Sequence, residues 1–242
     1  MLSVQRKEHL LGLLARDGRV VAKDAATELG VSEDSIRRDL RELAAIGACV
    51  RVYGGAVPIA ERPVAQRQDI ATESKERVAR AAVAHIRPAS TIILDAGTTT
   101  LAMARMLPND AALTVITPSP AVALAVAEHS DARIILVGGE LTRHSMASGG
   151  ALALEAIAHL GADIFFMGVS GIDPLHGLTT GSIDDAATKR ALAARSAEVF
   201  VLASEEKIGA ASRFPVLGFG EIAGIIVDPE DDDPLIAQLI PA

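Results

Sequence analysis

The segment from Asp95 to Thr100 brings together residue types that bind anions. It reads Asp-Ala-Gly-Thr-Thr-Thr, follows a short apolar run and precedes an alanine-rich stretch. At the join of a strand and a helix, Gly97 lets a ligand approach the backbone, while threonine hydroxyls and free backbone N–H groups can hold a phosphate. An ordinary strand-to-helix turn with threonine caps accounts for the same residues, so the segment by itself leaves both interpretations open.

A second set of residues that can bind anions lies near the N-terminus and consists of Arg37, Arg38 and Arg41. The same segment has an apolar stripe with a helical period, formed by Ile36, Leu40 and Leu43. Ser32 is placed to cap this helix, and the arginines then face solvent. A short helix that presents arginines suits the major groove of DNA, where arginine pairs with guanine or phosphate. A surface helix in which Arg38 pairs with Glu42 is the alternative.

Elements on both sides of the arginine helix favour DNA binding. Upstream, residues 4–15 show an amphipathic pattern with Ser3 as a possible cap, and residues 23–29 predict a second short helix. Gly30 permits the left-handed turn before the third helix. Downstream, residues 49–57 predict a β-hairpin around a Gly-Gly turn. Two residues of this hairpin are placed to contact phosphates or the minor groove: Arg51 and Tyr53.

The composition is that of a soluble globular protein. Half of the 242 residues are hydrophobic and 22% are charged. No apolar run is long and uncharged enough to span a bilayer, and the first residues lack the apolar core of a signal peptide. The single cysteine, Cys49, rules out an internal disulfide framework, and no histidine pair has metal-ligand spacing. These features predict a cytoplasmic protein with no membrane contact, no metal and no cofactor.

The net charge of −8 lies in one part of the chain. Residues 1–58 contain nine basic and eight acidic side chains, whereas the remainder contains 14 basic and 23 acidic ones. A nearly neutral head predicts modest affinity for DNA, so that tight binding needs two heads on one DNA. We therefore expect a homo-oligomer, either a dimer or a tetramer. Aromatic residues make up only 2%, which argues against binding of single-stranded nucleic acid.

From about residue 76 the chain alternates short apolar runs with alanine-rich helical stretches. The apolar runs predict strands at residues 91–95, 113–117, 132–137, 163–168, 199–202 and 222–227. Helical stretches lie between most of them, at residues 99–106, 121–128, 151–160 and 185–194. Short buried strands that alternate with helices are typical of a mostly parallel sheet covered on both faces. The fold class is therefore α/β.

Polar residues follow several of these strands, at the edge where α/β sheets bind their ligands. Besides the threonine segment, these positions hold the small residues Gly138 and Gly139, then the polar residues Ser170 and Asp173, and finally Lys207. His144 lies in a loop from which it can reach a ligand. Small residues, carboxylates and one lysine are thus expected on one rim of the sheet.

Residues 3–57 resemble the N-terminal winged helix-turn-helix of the DeoR family of bacterial regulators. The family hallmark is Val-Ser, then Thr-Ile-Arg-Arg-Asp-Leu, a later Leu, and Arg-x-x-Gly-Gly-Ala. This chain has Val31 with Ser32, Ile36 to Leu40, Leu43, and Arg51 to Ala56, with Ser35 in place of the threonine. The resemblance implies that Ser35, Arg37 and Arg38 contact DNA. The full predicted contact set also contains Ser32, Arg41, Arg51 and Tyr53.

Segments between about residues 67 and 228 resemble the C-terminal sensor domain of the same family. They are Arg67 with Lys75, Leu94 to Thr99, Gly138 with Gly139, Gly168 to Asp173, Gly177, Lys189 with Arg190, and Lys207 to Gly209. The family fold is related to that of ribose-5-phosphate isomerases and glucosamine-6-phosphate deaminases. Its usual effectors are phosphorylated sugars or sugar-derived metabolites.

The resemblance also implies an effector site. Asp95, Gly97, Thr98 and Thr99 form its phosphate loop. Asp173 binds sugar hydroxyls, and Lys207 neutralises the phosphate, with Lys75 and Lys189 as alternative partners. The predicted set is completed by Lys75, Thr100, Gly138 and Gly139.

Two positions depart from the family pattern and concern the effector more than the fold. Pro118 stands where the family commonly has Asn, which removes an amide and a backbone N–H. Ser204 stands where the family often has Asp, three residues before Lys207. Glu205 is placed to compensate for the missing carboxylate.

The sequence thus predicts a DNA-binding domain at residues 1–57, a linker at 58–75 and an effector domain at 76–242. By resemblance, the chain is a transcriptional repressor of a carbohydrate-metabolism operon, binds double-stranded operator DNA and is released by a phosphorylated sugar. The alternative is a sugar-phosphate isomerase-like enzyme with an accessory DNA-binding head. Its carboxylate base would be one of Asp95, Asp173, Asp184 and Asp185. No recognisable catalytic set accompanies them, so we expect a regulator and not an enzyme.

Overall fold

The computed structural model describes residues 3–45, 48–52, 54–57, 71–143, 145–174, 176–231 and 235–236. Its N-terminal part contains the helices α1 (Ser3–Asp17), α2 (Ala22–Leu29) and α3 (Glu33–Ala45). The accompanying strands are β1 (Val20–Val21), β2 (Val50–Val52) and β3 (Gly55–Val57). These strands form an antiparallel sheet in the order β1-β3-β2. The arrangement is the predicted winged helix-turn-helix.

The apolar stripe of α3 is buried as its spacing predicts. Ile36 and Leu40 share one core with Leu10 and Leu14 of α1. Gly30 has φ 61° and ψ 36°, so it supplies the left-handed turn between α2 and α3. At the start of α3, the Ser35 backbone N–H donates to Ser32 Oγ over 3.3 Å, which confirms the predicted cap.

Strand β1 is an element that the sequence pattern does not reveal, because two residues are too few to show a period. It pairs antiparallel with β3, so that Val21 lies opposite Gly55. A Cβ at Gly55 would collide with the backbone carbonyl of Val20. Gly55 is therefore required by the close approach of β1, whereas Gly54, with φ 83°, supplies the turn of the hairpin.

Ser3 does not have the predicted role of helix cap. It lies within α1, and its hydroxyl donates to Asp39 Oδ1 of α3 over 3.2 Å. Arg6 forms an ion pair with the same carboxylate, and both Arg6 and Asp39 are buried. Ser3 is thus part of a polar cluster that joins α1 to α3.

Helix α4 (Thr72–Val83) begins inside the segment that was expected to be a linker, residues 58–75. Ser74 and Lys75 are buried, together with Val78 one turn later. The sequence conceals this helix because its first buried positions are polar, so the apolar period starts only at Val78. Residues 58–70, including Arg67, lie outside the described residues.

The second part of the chain is built on a parallel sheet. Its strands and those of two smaller sheets are β4 (Thr91–Leu94), β5 (Thr114–Thr117), β6 (Arg133–Leu136), β7 (Glu140–Thr142), β8 (Ala147–Gly149), β9 (Ala162–Gly168), β10 (Gly171–Asp173), β11 (Gly177–Thr180), β12 (Ser196–Ala203), β13 (Phe214–Pro215) and β14 (Gly224–Val227). Within the described residues, six of them form the main sheet in the order β14-β12-β9-β4-β5-β6. All of its pairs are parallel, which confirms the predicted α/β class.

Helices cover both faces of this sheet. The further helices are α5 (Thr98–Ala104), α6 (Pro120–His129), α7 (Gly150–Ala158) and α8 (Ile183–Ala193). Val78, Met103 and Val122, from α4, α5 and α6, belong to the same core cluster as Ile92. Ile157 of α7 and Leu192 of α8 belong to a second cluster, with residues such as Ile93, Phe165 and Val201. Neighbouring residues of β4 thus face opposite sides, as in a strand buried on both faces.

Two smaller sheets were not predicted from the sequence. β7 and β8 form a hairpin, and β10, β11 and β13 form an antiparallel sheet in that order. Their strands have only two to four residues each, and β8 and β10 are buried at every position, so no alternating pattern marks them. None of the described helices is long and apolar enough to cross a membrane.

Candidate functional site

Helix α3 presents its arginines to solvent: Arg37, Arg38 and Arg41 are all exposed. The guanidinium of Arg37 lies 2.6 Å from Glu33 Oε1, one turn earlier. The alternative pairing of Arg38 with Glu42 is not formed, because Glu42 pairs with Lys7 of α1. Neither Arg38 nor Arg41 forms an ion pair with any residue that the structure describes. This face of the helix is therefore accessible to an anionic partner.

The other predicted DNA contacts lie on two elements of the head. The hydroxyls of Ser32 and Ser35 are 2.9 Å apart at the N-terminus of α3, where Ser32 also serves as the cap. Arg51 is exposed on β2, in the wing. Tyr53 lies outside the described residues. The predicted surface is thus formed by the exposed face of α3, from its N-terminus to Arg41, together with the wing.

A cleft of about 640 Å³, open solvent at its mouth included, lies at the carboxyl ends of the adjacent strands β4 and β9. Its walls are mainly small and hydroxylated residues, which come from Gly97 to Thr100, Gly168 to Ser170, Thr180 to Ser182, and from Thr142 and Ser145. Its charged residues are Asp185, Lys189, Glu206 and Lys207. His144 lies outside the described residues. The polar lining suits a small hydrophilic molecule.

Lys207 and the threonine segment meet in this cleft. The Lys207 side chain is buried, and its Nζ lies 3.5 Å from Thr99 Oγ1 and donates to the Leu202 carbonyl over 3.1 Å. Thr98, Thr99 and Thr100 line the same cleft, as does Gly97. The Thr100 hydroxyl donates to the Gly97 carbonyl over 3.0 Å, so its proton is already used within the turn. The Thr99 hydroxyl therefore lies beside Lys207, and Thr98 lines the same cleft.

Asp95 was predicted to belong to the phosphate loop, but its carboxylate is buried and does not line the cleft. Its Oδ1 accepts from the Ala96 backbone N–H over 2.8 Å, and its Oδ2 accepts from the Gly168 N–H over 2.9 Å. Lys189 Nζ also donates to Oδ2, over 2.5 Å. With its oxygens used in this way, Asp95 connects the ends of β4 and β9 and positions Lys189 rather than contacting a ligand.

Lys189 is held between two carboxylates. Its Nζ lies 2.5 Å from Asp95 Oδ2 and 3.4 Å from Asp185 Oδ2. Burial of the ammonium opposes its charge, but the carboxylates of Asp185 and Asp95 outweigh that effect and raise the pKa of Lys189. These carboxyl groups therefore favour the charged form of Lys189 in the cleft wall.

Asp173, Gly138 and Gly139, which were predicted to bind the effector, do not line the cleft. Asp173 Oδ1 accepts from the His176 backbone N–H over 2.8 Å and lies 2.7 Å from His176 Nδ1, so it organises the turn between β10 and β11. A Cβ at Gly139 would lie 2.6 Å from the Gly149 carbonyl oxygen, which shows that this glycine permits close packing. Gly138 is exposed in the loop between β6 and β7.

Lys75 also lies behind the wall and not on it. Its buried ammonium is 3.6 Å from Glu206 Oε1, a group that does line the cleft. Ser204 Oγ donates to the same Glu206 oxygen over 2.9 Å. Glu205 is exposed and absent from the lining, so the carboxylate near Ser204 is that of Glu206 and not the expected Glu205.

Sequence reasoning missed the contribution of helix α8 to the cleft. Asp185 was considered only as a base for the enzyme alternative, and Lys189 only as an alternative phosphate partner. Their spacing of four residues on a predicted helix was a signal that both side chains share one face. What the sequence did not contain was the position of that face, at the ends of β4 and β9.

Comparison with known families decides the identity of the chain. Residues 6–62 match the DeoR-like helix-turn-helix domain, and residues 70–229 match the DeoR C-terminal sensor domain. The chain belongs to the DeoR family. This DeoR family member is therefore a DNA-binding transcriptional regulator, which is the function predicted from the sequence, and the isomerase alternative is not favoured.

Named relatives match nearly the full length of this DeoR family member. The transcriptional regulator GlpR of Haloferax volcanii is 34% identical, over 94% of this chain and 91% of the relative. The glycerol-3-phosphate regulon repressor of Escherichia coli K12 is 32% identical, over 99% of this chain and 95% of the relative. The transcriptional repressor GlcR of Bacillus subtilis 168 is 31% identical, over 94% of this chain and 89% of the relative.

Similarity to solved structures is more distant. A D-ribose-5-phosphate isomerase in complex with phospho-erythronic acid has a TM-score of 0.41 and 19% identity, over 57% of this chain and 54% of the isomerase chain. The translation initiation factor eIF-2B of Pyrococcus horikoshii has a TM-score of 0.46 and 14% identity, over 93% of this chain and 88% of that one. The DeoR family member thus spans about half the length of the isomerase.

Proposed function

We propose that this DeoR family member represses genes of carbohydrate metabolism and leaves its operator when a phosphorylated sugar metabolite occupies the cleft. The observation that carries the effector assignment is the buried ammonium of Lys207 beside Thr99 on the cleft wall. A phosphate in this place gains a charge-assisted hydrogen bond from the lysine and hydroxyl bonds from the threonines. The names of the relatives in Escherichia coli and Bacillus subtilis support repression.

In this proposal the two parts of the chain have separate tasks. Residues 1–57 bind operator DNA and residues 76–242 bind the effector, while residues 58–75 join them and end in the first turn of helix α4. The DNA contacts are made by Ser32, Ser35, Arg37, Arg38, Arg41, Arg51 and Tyr53. The protein acts in the cytoplasm, where it meets genomic DNA, and it acts as a homo-oligomer.

Release of the operator requires that the effector binds more tightly to the DNA-free state than to the DNA-bound state. Gly97, Thr98, Thr99 and Lys207 are the groups we assign to phosphate, since they line the cleft together. Thr100 completes the turn, whereas Asp95 positions Lys189 from behind the wall. Lys75 contributes to the site indirectly, because its ammonium lies 3.6 Å from the Glu206 carboxylate and helps to position it.

The test begins with the operator. Purified protein is used to select fragments from genomic DNA, footprinting defines the bound sequence, and fluorescence anisotropy then measures its affinity. We expect glycerol 3-phosphate, fructose 6-phosphate or a related sugar phosphate to weaken this binding. Thr98→Val retains shape but removes one hydroxyl, so it should bind DNA normally and respond only at higher effector concentration. Failure to select any DNA, or a complex that no phosphorylated compound weakens, would contradict the proposal.

A further inference from the structure

Asp185 offers an unused hydrogen-bond acceptor to the cleft. Its side chain is 11% exposed and forms part of the cleft wall. Oδ2 accepts from the Thr180 hydroxyl over 2.5 Å and lies 3.4 Å from Lys189 Nζ. No donor among the residues that the structure describes reaches the second oxygen, Oδ1. A carboxylate oxygen with free lone pairs at a cleft wall can accept a hydrogen bond from a ligand.

The position of this carboxylate is fixed by its neighbours. Asp95 is held by two backbone N–H groups, at 2.8 and 2.9 Å, and in turn holds Lys189. Lys189 and Thr180 then restrain Oδ2 of Asp185 from two directions. Restraint of this kind leaves Oδ1 in one place, which is what selective recognition of a ligand group requires.

The charge around Asp185 selects the kind of ligand group that can approach. The carboxyl groups of Asp95 and Asp185 lie on two sides of the Lys189 ammonium, at 2.5 and 3.4 Å from its Nζ. Glu206 adds another carboxylate to the same cleft. A hydroxyl group can donate to Asp185 Oδ1, whereas a ligand carboxylate would meet like charge and has no proton to donate. The phosphate of the ligand has a different place, beside Lys207 and Thr99.

We propose that Asp185 determines specificity by binding a hydroxyl group of the effector, so that the site accepts phosphorylated polyols and sugars and rejects the corresponding phosphorylated acids. This inference rests on the proposed function, because it takes for granted that a phosphate binds in the cleft. In this proposal Asp185 of helix α8 recognises the hydroxyl group. Asp173, which was predicted to do so, organises a turn outside the cleft.

The experiment compares ligands that differ at one carbon. Calorimetric titration of the full-length protein uses glycerol 3-phosphate against 3-phosphoglycerate, and glucose 6-phosphate against 6-phosphogluconate. In at least one pair, we expect the compound without a carboxylate to bind about tenfold or more tightly than the corresponding acid. A site built to accept a hydrogen bond from a hydroxyl group discriminates strongly against a ligand that lacks this group. Asp185→Asn, which removes the charge and retains the shape, should reduce the ratio several-fold. Asp184→Asn is the matched control, because this neighbouring carboxylate is exposed and should leave the ratio unchanged.

The outcomes separate this inference from the proposed function. Equal or tighter binding of the acids by the unmodified protein would overturn the role of Asp185 while phosphate binding stands. An unchanged ratio in a folded Asp185→Asn variant would do the same. If that variant does not fold, the ratio of affinities measured in the unmodified protein still tests the role of Asp185. If neither the four compounds nor inorganic phosphate binds, the proposed effector site fails and the specificity assignment fails with it.

Discussion

Adjacent residues of helix α3 have opposite environments. Arg37 and Arg38 are exposed, whereas Asp39 is buried and pairs with Arg6. The exposure of the arginines and the burial of Ile36 follow from the helical period and were predicted from it. The role of Asp39 could not be predicted, because its partners lie 33 and 36 residues earlier in the chain. Ion pairs between distant segments leave no local pattern in a sequence.

The exposed face of α3 makes Arg38 a test of the DNA interface. Arg38→Ala should lower operator affinity by about 1–3 kcal/mol, the usual value of one base-contacting arginine. Its thermal unfolding should not change, because the side chain lies outside the core. Anisotropy titration with operator DNA measures the first effect and a thermal melt the second. Arg16→Ala is the matched control, since this exposed arginine of α1 pairs with its neighbour Asp17. Equal losses in both variants would show that α3 has no special role.

Asp228 makes the stability of the effector domain depend on pH. Arg77 donates two hydrogen bonds to its carboxylate, at 2.8 and 2.9 Å, and this pairing lowers the pKa of Asp228 from 3.8 to about 2. A depressed carboxyl pKa favours the ionised, folded form. The stabilisation is therefore complete above the ordinary pKa of 3.8 and is lost as the pH falls towards 2.

Comparison with Asp228→Asn isolates this contribution from other carboxyl groups. The variant should unfold at a lower temperature than the unmodified protein at neutral pH, because Arg77 loses its ionic partner. As the pH falls below about 4, the two melting temperatures should converge, since both proteins then lack the ion pair. Calorimetric melts across this pH range measure the difference. A difference that stays constant down to acid pH would contradict the assignment.

At the scale of elements, helix α4 supports the short 3-10 segment Glu205–Lys207. The Glu205 backbone N–H donates to Ser74 Oγ over 3.2 Å, and Lys75 lies 3.6 Å from Glu206. The segment that carries Lys207 is thus held by the first helix of the effector domain. The sequence placed Lys207 correctly after a strand, but it could not show which distant helix supports that loop.

Lys207 and Lys75 should therefore differ in their effect on phosphate binding. Lys207→Met removes the ammonium beside Thr99 and should weaken binding of glycerol 3-phosphate by about 1.5–3 kcal/mol, the value of a charge-assisted hydrogen bond. Lys75→Met should weaken it by less, because this ammonium lies behind the cleft wall. Calorimetry measures both, and Lys23→Met, at an exposed position of α2, serves as the control. A larger loss for Lys75→Met would place the phosphate beside α4 and reverse the assignment.

At the scale of the whole molecule, local patterns predicted the elements but not their neighbours. The six strands of the main sheet were found from their apolar runs, whereas the order β14-β12-β9-β4-β5-β6 depends on packing between distant segments. Gly138 and Gly139 follow the edge strand β6 and do not line the cleft, whereas Thr142 and Ser145, a few residues later, do line it. Strand β5 separates that edge from β4, where the cleft lies. The threonine segment was placed well because it follows a strand at the centre of the sheet.

The charge distribution leads to a prediction about assembly. Residues 1–58 are nearly neutral and the rest of the chain is acidic, so one head neutralises few phosphates of an operator. Two heads linked through their effector domains gain affinity because the second head binds at high effective concentration. Light scattering after size exclusion should therefore give at least twice the chain mass of 25.1 kDa. DNA with two half-sites should bind about tenfold or more tightly than DNA with one of them scrambled. A 25.1 kDa monomer that binds both DNAs equally would show that a single head is sufficient.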